Sequence, residues 1–93
     1  MKKHWNFLTN HAHVLICLAT GRGSTLREIA EQVGITERAT SRIVDELVRE
    51  GALKRTRRGR QNHYEIQHDF PLRHSLEKNC SVDRLLQMVT GGR

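Results

Sequence analysis

The feature of this sequence that most constrains its fold is a short amphipathic segment that begins at a cap and ends at a glycine. Thr25 and Glu28 have the spacing of a capping box, in which the hydroxyl and the carboxylate each bind an otherwise unpaired backbone N–H. Apolar residues then follow at helical spacing, at Leu26, Ile29, Ala30 and Val33. Gly34 can adopt the left-handed conformation that ends a helix. The segment therefore predicts one short helix followed by a sharp turn.

A second helix is predicted directly after this turn, because Thr36 can cap it and Gly51 can end it. Its inward positions are Ala39, Thr40, Ile43, Val44 and Leu47. Its outward positions are Glu37, Arg38, Ser41, Arg42 and Asp45. Two packed helices need a small residue where they touch and a turn residue that tolerates positive φ, which Ala30 and Gly34 supply. Residues 26–45 therefore predict a helix-turn-helix unit.

A helix and a hairpin are predicted on either side of this unit. Thr9 can cap a first helix that extends to Ala19. After Gly51, Leu53–Arg57 and Asn62–Ile66 are two short runs around a glycine-containing turn, which indicates a β-hairpin. Tyr64 and Ile66 alternate with polar residues, so that one face of the hairpin should rest on the helices.

A last amphipathic helix is predicted near the C-terminus. Ser81 can cap it, and its apolar stripe consists of Val82, Leu85, Leu86 and Val89. Such a stripe on a small domain either packs against the first helix or is shared with a second subunit, and we prefer the shared interpretation. The predicted fold class is mostly α with a small β-hairpin: a three-helix bundle with a wing, followed by a C-terminal dimerisation helix.

The hairpin carries most of the net charge of the chain, which is +6. Five of the 16 Lys and Arg residues lie between positions 54 and 60, and the remaining 11 nearly balance the 10 Asp and Glu residues. They are Lys54, Arg55, Arg57, Arg58 and Arg60. Charge concentrated in this way next to a helix-turn-helix unit favours double-stranded DNA as the partner.

Roles at such an interface follow from residue chemistry. The second helix of the unit would enter the major groove, where Arg38 and Arg42 can bind guanine and Ser41 can bind a base or a phosphate. The helix N-termini capped by Thr25 and Thr36 can bind phosphate through free backbone N–H groups. Further phosphate contacts are expected from Gln61, Asn62 and His63 on the returning strand. The wing arginines are Arg55, Arg57, Arg58 and Arg60.

The motifs on these elements resemble the winged helix-turn-helix transcriptional regulators of the MarR and ArsR type. They are Glu28-Ile29-Ala30 with Val33-Gly34-Ile35, Ala39-Thr40-Ser41-Arg42, Glu50-Gly51-Ala52-Leu53 and Gly59-Arg60-Gln61-Asn62-His63-Tyr64. The resemblance covers residues 8–66. It implies a dimer on a palindromic operator, with the third helix in the major groove and the wing in the adjacent minor groove. We accordingly divide the chain into a DNA-binding domain at 1–70 and a linker with the dimerisation helix at 71–93.

Composition narrows the remaining possibilities. At 93 residues, with 37% hydrophobic and 28% charged residues, the chain predicts one small globular domain without a membrane span, and we expect it to be cytoplasmic. No pattern typical of a metal site, a cofactor or an enzyme is found, and the residues do not indicate an effector. Two alternatives stay open: a protein-interaction module on the same fold, and RNA binding, for which few aromatic residues are present.

Overall fold

The computed structural model of the protein describes residues 5–91. Its elements follow in the order α1 (Asn10–Thr20), α2 (Leu26–Val33), α3 (Glu37–Glu50), β1 (Leu53–Arg58), β2 (Gln61–Ile66) and α4 (Val82–Thr90). The two strands form one antiparallel hairpin. The predicted fold class, mostly α with a small β-hairpin, is confirmed.

Local hydrogen bonds explain where the helices begin. The Thr9, Thr25, Thr36 and Ser81 side chains each accept a hydrogen bond from the backbone N–H three residues ahead, at donor–acceptor distances of 3.3, 3.1, 3.0 and 3.3 Å. The reciprocal bond of the capping box is also present, since the Glu28 carboxylate accepts from the Thr25 N–H at 3.3 Å. These are the four caps that the sequence predicts.

One hydrophobic core lies between the helices and the base of the hairpin. Its buried members are Val14, Leu15, Cys17, Ile29, Ile43, Val44, Leu47, Ala52, Leu53, Val82 and Leu86. Thr40 is fully buried among them, and its hydroxyl donates to the Thr36 carbonyl at 2.9 Å. That bond satisfies the polar atom, so Thr40 packs as a branched apolar residue would.

The wing is a tight hairpin in which Arg58 pairs with Gln61. Only Gly59 and Arg60 therefore lie in the loop. Gly59 has a φ of 61°, whereas no non-glycine residue among those described has a positive φ. A positive φ at the first loop position alone is the pattern of a type II′ turn, whose twist matches that of the strands. Both strands extend one residue further towards the tip than the sequence pattern predicted.

The segment after the wing returns to the core. The Gln67 N–H donates to the Ala52 carbonyl at 2.9 Å. Val82 N–H donates to the Phe70 carbonyl at 2.8 Å and Asp83 N–H to the His68 carbonyl at 2.9 Å. These bonds fix the start of α4 beside the exit of the wing, and α4 then packs against α1.

This packing corrects the predicted dimer stripe. Val82 and Leu86 are only 2% and 4% exposed within the single chain. Their side chains belong to the core of their own chain, so the interpretation that they face a second subunit is wrong. The physical reason is that α1 alone leaves the core open on this side, and α4 closes it. Leu85 is half-buried at the rim, and Val89 is 42% exposed.

None of the helices in residues 5–91 is both long and apolar enough to cross a membrane.

Truncating a core residue of α4 should therefore destabilise the folded chain. We expect Leu86→Ala to lower the free energy of unfolding by about 2–5 kcal/mol, because it removes a buried side chain and leaves a cavity. Val89→Ala, on the same helix but exposed, should cost less than about 1 kcal/mol. Urea denaturation at two protein concentrations measures both. Equal losses for the two variants, or a loss for Leu86→Ala that vanishes at high dilution, would contradict the packing.

Candidate nucleic-acid interface

The outer face of α3 carries three side chains predicted to read bases. Arg38 and Arg42 are exposed and Ser41 is half-buried. Their i, i+3 and i+4 spacing places them on one side of the helix. The Arg38 side chain has no hydrogen bond or ion pair with any residue in the described part of the chain. Arg42 has only a longer-range electrostatic interaction with Glu46. Both guanidinium groups are therefore available to a ligand.

An ion pair joins this face of α3 to the base of the wing. Nη1 of Arg55, on β1, donates to Oδ1 of Asp45, on α3, at 2.9 Å. The Asp45 carboxylate, followed by the Tyr64 side chain on β2, raises the pKa of Arg55 above its ordinary value. The sequence predicted Arg55 as one of the DNA-contacting wing arginines. Its guanidinium instead has a partner within the protein, and it lies beside the recognition face.

The remaining wing arginines differ from one another. Arg57 donates from Nε to the Gly59 carbonyl at 3.2 Å, so that its side chain folds back on the turn. Arg58 and Arg60 are exposed, and their side chains form no hydrogen bond or ion pair with residues 5–91. The tip of the wing therefore presents two uncommitted guanidinium groups, while the two arginines nearer the helices contact protein atoms.

Four of the predicted phosphate contacts lie around one shallow groove. The groove has a volume of about 320 Å³ and runs between the start of α2 and strand β2. Its lining consists of Ser24, Thr25, Leu26, Gln61, Asn62, His63 and Tyr64. The fold thus brings Thr25 to the returning strand of the wing. Ser24 is a polar residue of this groove that the sequence analysis did not identify, although it adjoins the cap.

The start of α2 is a poor phosphate site despite this position. The Glu28 carboxylate accepts from the Ser24 N–H at 3.0 Å and from the Thr25 N–H at 3.3 Å. These bonds hold the pKa of Glu28 below its ordinary value. A phosphate at Thr25 would meet this negative charge, and we therefore leave Thr25 out of the proposed contacts. At the start of α3, Thr36 is exposed, and its hydroxyl oxygen accepts a hydrogen bond from the Ala39 N–H at 3.0 Å.

A histidine–carboxylate contact ties α3 to α1. Nε2 of His11 lies 2.7 Å from Oε1 of Glu46. This hydrogen bond lowers the pKa of Glu46 from its ordinary value of 4.5, and positive charge on His11, Arg49 and Arg42 lowers it further. Together with Arg55–Asp45 and Arg73–Glu50, it ties α3 to three other parts of the chain.

Other reactive side chains do not form a site. Cys17 is buried, which raises the pKa of its thiol, and Cys80 is exposed; both are free thiols. Cys17 packs as a small core residue. Among residues 5–91, no group of three or more His, Cys, Asp and Glu side chains could hold a metal ion.

The Glu46 bond predicts a pH-dependent contribution to stability. Because its pKa is lower in the folded state, Glu46 stabilises the fold above its ordinary pKa of 4.5, and this contribution is lost as the pH falls through the lowered value. We expect Glu46→Gln to unfold at lower urea than the parent chain at pH 6 and the difference to shrink below pH 4.5. Glu37→Gln, which changes a carboxylate without a described partner, is the control. A difference that grows on acidification would contradict this assignment.

Comparison with known proteins agrees with this architecture. No curated protein matches the sequence. The model of the MarR family matches residues 9–60, which extend from the cap of α1 through α2, α3 and β1 to the tip of the wing. That match contains the exposed arginines of α3 and of the wing and covers more than half of the chain, and the chain accordingly belongs to the MarR family.

Proposed function

We propose that this protein is a sequence-specific regulator of transcription that binds double-stranded DNA, with α3 in the major groove and the wing in the adjoining minor groove. MarR-family proteins are transcription regulators that bind DNA. For this chain we further propose which element enters which groove and which residues contact the DNA.

The observation that carries the proposal is the distribution of unpaired arginines. Arg38 and Arg42 on α3 and Arg58 and Arg60 at the wing tip are exposed and lack ion-pair partners in residues 5–91. Two other arginines, by contrast, are paired within the protein, Arg55 with Asp45 and Arg73 with Glu50. Cations left without protein partners on two adjacent elements suit a ligand with many negative charges.

Each contact has a distinct chemical role. Arginine binds guanine bidentately through O6 and N7, so Arg38 and Arg42 are the proposed base readers, and Ser41 donates to a base or a phosphate. Arg58 and Arg60 enter the minor groove, where arginine binds narrow, strongly negative segments. Contacts to phosphate come from the exposed polar side chains near these elements, which are Thr36, Gln61, Asn62 and His63. They fix register and do not read sequence.

We also propose that two copies bind together. Single small domains gain affinity from paired half-sites, and members of the family typically form dimers. The surface we assign to the interface is the exposed side of α4, where Met88 is 69% exposed and Val89 42%. It adjoins a groove of about 670 Å³ between α1, the end of α3, the segment after the wing and α4, whose lining includes Phe7 and Leu85. Leu85 and Val89 thereby keep the role predicted for them, unlike Val82 and Leu86.

Two arginine variants test the division between base reading and backbone binding. Arg42→Ala should relax base preference at one position at a cost of about 1–3 kcal/mol, because it removes a bidentate contact. Arg60→Ala should weaken binding to all sequences alike and reduce the magnitude of the log–log salt slope by about 0.9. Selection from random duplexes and salt titration of the selected site measure these effects. Binding of the parent chain that is insensitive to salt would contradict DNA as the ligand and favour a protein-docking module.

Charge placed on the exposed side of α4 tests the dimer. Met88→Asp should shift the chain towards the monomer in sedimentation equilibrium, because two carboxylates would be buried together at the interface. Gln32→Asp is the control, since Gln32 is exposed on α2 and outside the assigned surface. A parent chain that is monomeric at all concentrations tested, or a dimer unaffected by Met88→Asp, would contradict the assigned surface.

A further inference from the structure

We infer that Arg55 acts on DNA recognition as a positioning residue, through Asp45, and does not itself bind the phosphate backbone. This inference rests on the proposed function. It separates the four wing arginines, which sequence patterning treats as equivalent. Arg55 holds the wing against α3, Arg57 folds back on the turn, and the other two, Arg58 and Arg60, meet the ligand.

The register of the hairpin decides on which face Arg55 lies. Arg55 lies opposite Tyr64, and Leu53 lies opposite Ile66. Paired residues of an antiparallel ladder point to the same face, and alternate residues along a strand share it. Arg55 is therefore on the face of the hairpin that contains buried Leu53 and half-buried Tyr64, the face directed towards the helices. Arg58 lies on the opposite face, and Arg60 lies in the turn.

The geometry of the Arg55–Asp45 pair links the wing to the outer face of α3. The Arg55 side chain is 35% exposed, and its Nη1 is 2.9 Å from Asp45 Oδ1. The partner carboxylate is on α3, three residues after Arg42 and seven after Arg38, and so lies on the same side of the helix as both base readers. A single guanidinium thus connects the strand that leads to the wing tip with the face that would enter the major groove.

The ion pair also changes the electrostatics of the DNA-binding face. An unpaired carboxylate in the middle of a DNA-binding face would repel phosphates. Bound to Arg55, the Asp45 charge is compensated by a cation of the protein. Arg55 consequently has two effects, since it fixes the wing against α3 and neutralises an acidic side chain that lies next to the base readers. Neither effect needs the guanidinium to touch DNA.

Salt titration distinguishes a positioning residue from a phosphate contact. Each phosphate neutralised contributes about 0.9 to the magnitude of the log–log slope. We expect Arg55→Gln to leave the slope unchanged while lowering the preference for the selected duplex over a random duplex by about tenfold, the scale of one base-reading contact. Arg60→Gln is the matched control and should reduce the slope without changing that preference. Because both variants remove one charge from the same hairpin, net charge does not distinguish them.

A double-mutant cycle tests whether Arg55 acts through Asp45. Asp45→Asn should lower sequence preference as Arg55→Gln does, and the double variant should be no worse than either single variant. A slope reduced by Arg55→Gln as much as by Arg60→Gln, additive losses in the cycle, or an unchanged preference in Arg55→Gln would overturn the inference. If the parent chain itself shows no salt-dependent binding to duplex, the proposed function fails instead.

Hydrogen exchange tests the Arg55–Asp45 pair without DNA, even if the chain does not bind duplex. Backbone amide exchange of residues 54–64 should become faster to a similar degree in Arg55→Gln and Asp45→Asn and should be unchanged in Arg60→Gln, because only the first two variants break the link between the wing and α3. Protection that is equal in all four proteins would overturn the positioning role.

Discussion

The contact between the base of the wing and α3 is the constraint on which the rest of this structure depends. It has an apolar part, in which Ala52 and Leu53 are buried in the core directly after α3, and a polar part, in which Arg55 binds Asp45. The apolar part supplies most of the stability, because an ion pair this exposed contributes at most about 1 kcal/mol. The polar part supplies direction, since it fixes which side of the hairpin faces α3. Both are needed if a helix and a hairpin are to address one ligand.

The other end of the wing is held by the chain that follows it. Hydrogen bonds from Gln67, Val82 and Asp83 to backbone carbonyls attach the exit of β2 and the start of α4 to each other and to the core. In a chain of 93 residues, α4 therefore completes the hydrophobic core that supports the wing. Only the outer side of α4 remains for a second copy. In the proposed dimer, stability and assembly thus use different residues of one short helix.

Much of the fold could be predicted from sequence because its signals are local. Caps at Thr9, Thr25, Thr36 and Ser81 act over three residues, and the glycine of the wing turn sits between its own strands. The partner of α4 was not predictable in this way. Leu86 and Val89 belong to one apolar stripe, which looks the same in sequence whether it faces its own core or a second chain. Only the tertiary arrangement, in which α1 packs against the side of α4 that carries Val82 and Leu86, distinguishes buried Leu86 from exposed Val89.

The candidate site shows the same division. Exposure of Arg38 and Arg42 follows from helical periodicity alone, but the pairing of Arg55 with Asp45 joins residues ten positions apart on different elements.

The central claim is that α3 and the wing occupy adjoining grooves of one duplex, and methylation interference on a selected duplex tests it directly. The account predicts interference from guanine N7, in the major groove, and from adenine N3, in the minor groove, about half a helical turn (~5 bp) apart. Interference confined to one groove, or none in either, would contradict it.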